Sequence, residues 1–334
     1  MATMLWEPTN KGSVRCLLCR HQCRLAPGAT GRCGVRCNRQ GELRSLVENV
    51  VSSVQMDPVE KKPLYHFLPA TKTFSVGSVG CNFSCQFCQN HHISVVPKSG
   101  VVSGKRVAPE HLVDLAISHH AKSMAFTYNE PTVFFELIYN TAAVAKLHDL
   151  PVILVTNGFM AEGVFAGLQH RVHAANVDLK SFSDSFYRTS CGGKLQPVLD
   201  NLKRIRELGW WLEVTTLLIP GLNDSEAEVR DCARFIRDEL GPDTPWHLSA
   251  FHGAHKMADH PSSTLAQVEA AWRIGKAEGL NYVYMGNVAS VMGANTYCPQ
   301  CGELVIERRG FAVVQGEQRG VCPKCQHEIA GVWK

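Results

Sequence analysis

Charge of one sign is scarce in this 334-residue sequence: 34 Lys and Arg stand against 30 Asp and Glu, without a basic block. The electrostatic footprint that nucleic acid or an anionic membrane would need is missing, and neither is expected as a partner. Long apolar runs are missing too. No uncharged apolar stretch reaches 18 residues, so no bilayer-spanning helix is expected. The opening MATMLWEPTNKGSVRC has no basic segment leading into an apolar one, so no secretory signal is read there. Neither a Ser-His-Asp set nor a carboxylate pair suited to hydrolysis stands out. The expectation is a cytoplasmic protein whose 45% hydrophobic residues build a sizeable core.

Cysteine is what the chain has in quantity. There are 14, and 12 fall into three clusters. Closely spaced thiols in a reducing compartment point to metal ligation rather than disulfides. Cys191 and Cys232 stand alone. Cys232 follows the apolar periodicity of a helix and reads as core; Cys191, in TSCGGK, reads as a loop residue or a thiol facing a site.

Between residues 73 and 285 strand-like and helix-like segments alternate. TKTFSVGSV, SMAFTY, PVILVTNGF, AANVDLKS, WWLEVTTLLIPG, PWHLSAF and NYVYMGNV read as strands. Helical periodicity fills the intervals, as in LQPVLDNLKRIRELG, which Gly209 ends. SEAEVRDCARFIRDEL carries Ser225 as N-cap with Glu228 three residues on. Such alternation predicts parallel strands with right-handed crossovers. Six repeats and a seventh strand fall short of eight, so the expected fold is α/β, a partial (β/α)6-type barrel. Its ligands would lie at the C-terminal strand ends, where the polar segments CNFSCQFC, YNEPT, TNG, DLK, IPGLND, FHGAH and GNV fall. The expected divisions are a cysteine-rich segment at 1–70, the barrel at 71–290 and a ribbon-like module at 291–334.

CNFSCQFC places Cys81, Cys85 and Cys88 in a loop leaving the first strand. Four cysteines complete an electron-transfer cubane or a structural zinc site. Three at this spacing suit three irons of a [4Fe–4S] cluster, leaving the fourth iron for a small chelating ligand. The C-terminal CPQC and CPKC supply Cys298, Cys301, Cys322 and Cys325 across a β-prone segment. That is a tetrahedral donor set, with zinc as the expected ion and a rubredoxin-like iron as the alternative. At the N-terminus Cys16, Cys19, Cys23 and Cys33 are the favoured ligands, for zinc or for a second iron–sulfur cluster, with Cys37 spare.

The CxxxCxxC motif with Phe87 before its last cysteine resembles the radical S-adenosylmethionine superfamily. With GCNFSCQFCQN, FTYNEPT and LIPGLND considered together, the chain looks most like the radical enzyme of the AmmeMemoRadiSam system, which is similar to pyruvate formate-lyase activating enzymes. The resemblance implies a [4Fe–4S] cluster at Cys81, Cys85 and Cys88 that reductively cleaves S-adenosylmethionine. The resulting 5′-deoxyadenosyl radical would abstract hydrogen from a protein or small-molecule substrate. It implies cofactor contacts at Phe87, Asn129, Glu130, Thr156, Asn157, Asp178, Lys180, Ile219 and Gly221, with Glu130 on the cofactor's amino group. Glu130, Lys180 and His252 are the candidate catalytic residues, His252 from its place on the sixth strand end. Tyr128-Asn129 stands where the family has a glycine pair, and TTLLIPG lacks the arginine of activating enzymes. A glycyl-radical-enzyme activase and a non-catalytic metal scaffold are the alternatives. Family association implies Memo-like and AMMECR1-like partners and an electron donor such as flavodoxin or ferredoxin.

Overall fold

Runs such as Phe74-Ser75-Val76 and Val152-Ile153-Leu154 are buried at successive positions, the mark of strands covered on both faces. The computed structural model describes residues 4–96, 102–290, 292–316 and 319–333. All seven expected strands are present: β1 (Lys72–Gly77), β2 (Ser123–Phe126), β3 (Val152–Thr156), β4 (Ala174–Asp178), β5 (Trp211–Leu218), β6 (Trp246–Ala250) and β7 (Val283–Gly286). Helices α1 (Pro109–Ser118), α2 (Phe135–Lys146), α3 (Glu162–Leu168), α4 (Gln196–Glu207), α5 (Glu226–Phe235) and α6 (Leu265–Ala277) fill the intervals between them. The class is α/β with parallel strands, as expected.

The chain forms two compact units, each made of separate stretches. The first holds the chain up to Asp57, Thr73–His173 and Ser190–Gly193; the second holds Pro58–Lys72, Ala174–Thr189 and the chain from Lys194 onward. In the first, β2 pairs in parallel with β1 and β3, Met124 lying opposite Phe74 and Val152. Ahead of β1 run short antiparallel strands, Trp6–Pro8 with Val14–Cys16 and Arg36–Arg39 with Glu42–Ser45. Arg36 anchors them. Its buried guanidinium meets the Glu136 carboxylate at 2.7 and 2.5 Å and donates to Val133 O at 2.8 Å. A buried pair of this kind is costly to break because the survivor is an uncompensated charge.

In the second unit β4 to β7 are parallel neighbours in order, Trp246 lying opposite Val214 and Val283. The α4 sequence QPVLDNLKRIRE turns Val198, Leu199, Leu202 and Ile205 inward at helical spacing, and Gly209 follows with φ 74°. Ser225 caps α5, its Oγ accepting from Glu228 N–H. Glu228 does not complete a capping box; its carboxylate takes Phe182 N–H at 2.8 Å and the Ser181 hydroxyl. The strands Leu304–Arg309 and Ala312–Gly316 form a hairpin from the β-prone segment between the C-terminal cysteine pairs. Cys298, Val305, Ile306, Cys322 and Ile329 share one apolar cluster with Tyr65, Tyr282 and Tyr284, so the segment beyond 291 is packed into the second unit.

A buried hydrogen-bond chain runs through that cluster. Arg308 Nη1 donates to Thr296 Oγ1 (2.8 Å), which lies 2.8 Å from Tyr284 Oη; Tyr284 Oη is 2.5 Å from His66 Nε2, and His66 Nδ1 is 2.6 Å from Ala330 O. A neutral imidazole with its proton on Nδ1 satisfies every link, with Tyr284 donating to Nε2. Burial lowers His66 from 6.5 to about 4, more than the nearby Glu213 charge raises it. A histidine depressed in the fold contributes stability that is complete above its unfolded value and is lost as pH falls from 6.5 towards 4. The cost is about 3 kcal/mol. Urea midpoints at pH 7 and pH 4.5 should therefore drop in the wild type and drop less in His66→Gln.

Candidate functional site

Three strand ends of the first unit supply one polar network beneath the loop of Cys81, Cys85 and Cys88. From the β2 end, Asn129 Oδ1 accepts from Ser78 N–H (3.0 Å) and its Nδ2 donates to Gly80 O (2.8 Å), fixing the start of the cysteine loop. Asn90 Nδ2, after the third cysteine, donates to Tyr128 O at 2.8 Å and pins the loop's far side. From the β3 end, Asn157 Nδ2 donates to Asn82 Oδ1 (2.7 Å) and lies 3.9 Å from Cys81 Sγ, which also accepts from Phe83 N–H at 3.4 Å. Phe87 is buried between the second and third cysteines. Burial holds the Cys81 thiol well above its usual range, and Glu130 and the thiols of Cys85 and Cys88 push it further the same way. A positively charged metal is the natural counterweight at such a site.

Glu130 lies at the centre. Its Oε1 accepts from Thr132 N–H (3.0 Å), Thr132 Oγ1 (2.6 Å) and Thr156 Oγ1 (2.8 Å), and its Oε2 from Asn157 N–H (2.9 Å). Burial raises its carboxyl, while these four donors pull the other way. The family resemblance gives this carboxylate to the cofactor's amino group. In the structure Oε1 takes three donors from the chain itself, and Oε2, with one, is the oxygen that keeps more acceptor capacity.

A second clamp comes from a segment that the sequence marks only as a loop. Cys191 O accepts from Ser84 N–H (2.8 Å) and Ser190 O from Gln86 N–H (2.9 Å). Cys191 itself is fully buried. The approach is so close that a Cβ on Gly193 would sit 2.4 Å from Phe83 Cε1, and one on Gly192, at φ 75°, 2.6 Å from Ser84 Oγ. Gly193→Val should push the clamp off the cysteine loop at an overpacking cost of about 1–3 kcal/mol. Its iron and sulfide content after reconstitution should fall clearly below that of the wild type, as colorimetric assay would show.

The other site residues named from sequence belong to the second unit. At the β4 end Lys180 Nζ donates to Asp178 Oδ2 at 2.9 Å, and Lys180 N–H donates to Tyr187 Oη at 3.0 Å. Asn223 ties this end to the turn after β5: its Nδ2 donates to Lys180 O (2.7 Å) and its Oδ1 accepts from Ile219 N–H (2.6 Å). Gly221 takes φ 72° with open space where a Cβ would stand, and its N–H donates to Asp224 Oδ1 at 2.8 Å. His252 is exposed after β6, its Nε2 3.4 Å from Asn287 O, which puts the sixth and seventh strand ends together.

The four C-terminal cysteines converge. Cys298 and Cys325 Sγ are 3.6 Å apart, as are Cys301 and Cys322, and all four lie within 4.8 Å of one another. Four thiolates 2.3 Å from one tetrahedral ion stand about 3.8 Å apart, so the donor set fits a single zinc or iron. At the N-terminus Cys16, Cys19, Cys23 and Cys33 line one cavity of about 20 Å³. Burial raises the Cys16 thiol to about 11 and that of Cys19 to about 12. Sequence reasoning missed Asn82 and the glycine clamp. Asn82 had a signal, its place directly after Cys81, whereas the clamp is a contact across about a hundred residues of chain with no local mark.

A family model described as the Radical SAM superfamily matches residues 75–233. The chain is 39% identical over 308 residues to "Uncharacterized protein MJ0808" of Methanocaldococcus jannaschii, covering 92% of this chain and 91% of that one. It is 26% identical over 166 residues to GTP 3',8-cyclase of Listeria monocytogenes, spanning about half of each chain (48%). Among solved structures, a radical SAM methyltransferase from Sphaerobacter thermophilus superposes with TM-score 0.51 at 17% identity, over 71% of each chain. Streptococcus suis SuiB bound to S-adenosylmethionine gives TM-score 0.51 at 11% identity, over 69% of this chain and 53% of that one. These likenesses bear on the fold. Among the described residues no helix is long and apolar enough to cross a membrane.

Proposed function

The chain belongs to the Radical SAM superfamily, and on that premise we propose that it cleaves S-adenosylmethionine reductively and uses the product to abstract hydrogen from a protein or small-molecule substrate. When bound, a [4Fe–4S] cluster would supply the one electron that cleaves S-adenosylmethionine to methionine and a 5′-deoxyadenosyl radical. Cys81, Cys85 and Cys88 are the residues that would hold that cluster. The remaining parts of the first unit position and shield it. Asn129 and Asn90 fix the two ends of the cysteine loop, Asn157 orients Asn82 beside Cys81, and the buried Phe83 and Phe87 exclude water. Glu130 acts chiefly by holding the β2 and β3 ends in register, and its Oε2 is the proposed contact for an amino group. In the second unit, the Asp178–Lys180 pair and the Ile219–Gly221 turn are the proposed cofactor-facing groups, and the exposed His252 the proposed substrate-facing one. The electron would come from a low-potential one-electron donor of the ferredoxin or flavodoxin class.

The observation that carries this reading is the support under the three cysteines: one loop, hydrogen-bonded to the ends of two further strands, with Cys81 Sγ already accepting a backbone N–H. Electron paramagnetic resonance of anaerobic, dithionite-reduced protein tests it. A reduced-cluster signal that shifts on adding S-adenosylmethionine is the expected result. A signal of full intensity that ignores the addition would overturn the reading in favour of electron transfer alone.

A further inference from the structure

We propose that Cys16, Cys19, Cys23 and Cys33 hold a second iron–sulfur cluster, ligated at every iron by the chain itself, beside the loop that carries Cys81. This goes beyond the function proposed above and stands without it. The four thiols belong to a short stretch folded into a cage. Cys16 ends the strand Val14–Cys16 and its N–H donates to Cys23 O at 3.0 Å, Cys19 forms a β-bridge with Met160, and Gly31 N–H donates to Arg36 O at 2.7 Å. Gly31 is close enough to the ligands that a Cβ there would lie 3.8 Å from Cys23 Sγ. All four cysteines line the same cavity with His21 and Asn82. Cys37 takes no part: it lies on the strand Arg36–Arg39 with its Sγ 3.8 Å from Arg44 O.

The chain carries its own rulers for what such a cage holds. Among the described residues, the C-terminal quartet is the group of three or more whose ligand atoms all lie within 4.8 Å, as one tetrahedral ion requires. The N-terminal thiols face one cavity yet are not drawn together in that way, and neither are those of Cys81, Cys85 and Cys88. Ligands spread over several irons stand further apart than ligands sharing one ion, so a cluster does not require the tight gathering that the ribbon shows. A second observation points to an occupant. Asn82 is only 3% exposed, and its Nδ2 has no hydrogen-bond partner among the described residues. A buried amide N–H without an acceptor is costly, and the sulfur of a cluster in this cavity would accept it. His21 Nε2 lies 2.9 Å from Asn82 O, and Asn82 adjoins Cys81. A single residue therefore links the two ligand sets, which places the two clusters within reach of each other for electron exchange.

The test is the full-length C81A/C85A/C88A protein, prepared anaerobically and reconstituted with iron and sulfide. About four iron and four acid-labile sulfide per chain should remain, with a reduced-state resonance signal unaltered by S-adenosylmethionine because every iron has a thiolate. Adding C19A and C23A should remove that iron. In the converse variant, C19S/C33S in an otherwise wild-type chain, iron should fall to about half while the signal that responds to S-adenosylmethionine persists. An iron-free C81A/C85A/C88A chain, or one with zinc in place of iron at this site, would overturn the proposal, as would a C19S/C33S chain with undiminished iron. Failure of the function proposed above looks different: the wild-type signal would ignore S-adenosylmethionine whatever these iron counts are.

Discussion

Cys85→Ala, reconstituted with iron and sulfide, is expected to cleave S-adenosylmethionine no faster than protein without a cluster, a loss of at least about a thousandfold. Cys85 is the middle cysteine, a proposed ligand, of a loop held from either side, Cys81 by Phe83 and Asn157 and the stretch after Cys88 by Asn90. Removing it leaves the scaffold in place, so the far-ultraviolet circular dichroism and whatever metal content the four C-terminal cysteines carry should not change. The measurement is 5′-deoxyadenosine formed under dithionite, quantified by chromatography. Cleavage within tenfold of the wild type would show that this loop does not hold the reactive cluster.

Glu130→Ala is expected to act through the fold before it acts through the cofactor. The carboxylate is buried and takes donors from both Thr132 groups, from Thr156 and from the Asn157 backbone. Deleting it strands several of these donors out of water, at roughly 1–3 kcal/mol each before relaxation, so a total loss of about 3 kcal/mol or more is expected. Asn157 would then be free to leave Asn82, and cluster content should fall together with stability. Chemical denaturation and iron content of Glu130→Ala and Glu130→Gln read this out, with the glutamine variant keeping the Oε1 contacts and most of the stability. A variant of unchanged stability and full iron content that binds S-adenosylmethionine weakly would mean that amino-group contact is the residue's main task.

The sequence was a good guide where chemistry sets local spacing. Ligands for one metal loop lie within a few residues of each other, so Cys81, Cys85 and Cys88 could be picked out by counting as the proposed ligands, and the structure puts them on one loop. Gly209 and Ser225 mark helix ends because φ above zero and N-capping are local demands. What escaped were pairings set by tertiary proximity. Arg36 meets Glu136 across 100 residues, and nothing near either one announces the other. Glu213 is a charged residue within the otherwise apolar stretch of β5. In the structure it accepts from Tyr65 N–H, His66 N–H and Trp211 Nε1 and pairs with His247. Burial alone would raise its carboxyl, but the His247 hydrogen bond and charge hold it below its usual range. Glu130 shows the same limit within the site: its position at a strand end was legible, and the four groups that occupy it were not. Glu228 fits the capping-box spacing, yet its carboxylate found better donors in the loop after β4.

The clamp of Ser190–Gly193 has a consequence for biosynthesis. These four residues belong to the first unit, though the stretches on either side of them belong to the second. A ribosome releases Cys81, Cys85 and Cys88 about a hundred residues before it releases the clamp, an interval of roughly 5–20 s at ordinary synthesis rates. Throughout that interval the thiols stand on a nascent chain without the segment that later covers Ser84 and Gln86. The fold thus completes the cover over Ser84 and Gln86 only once the chain through Gly193 has been made.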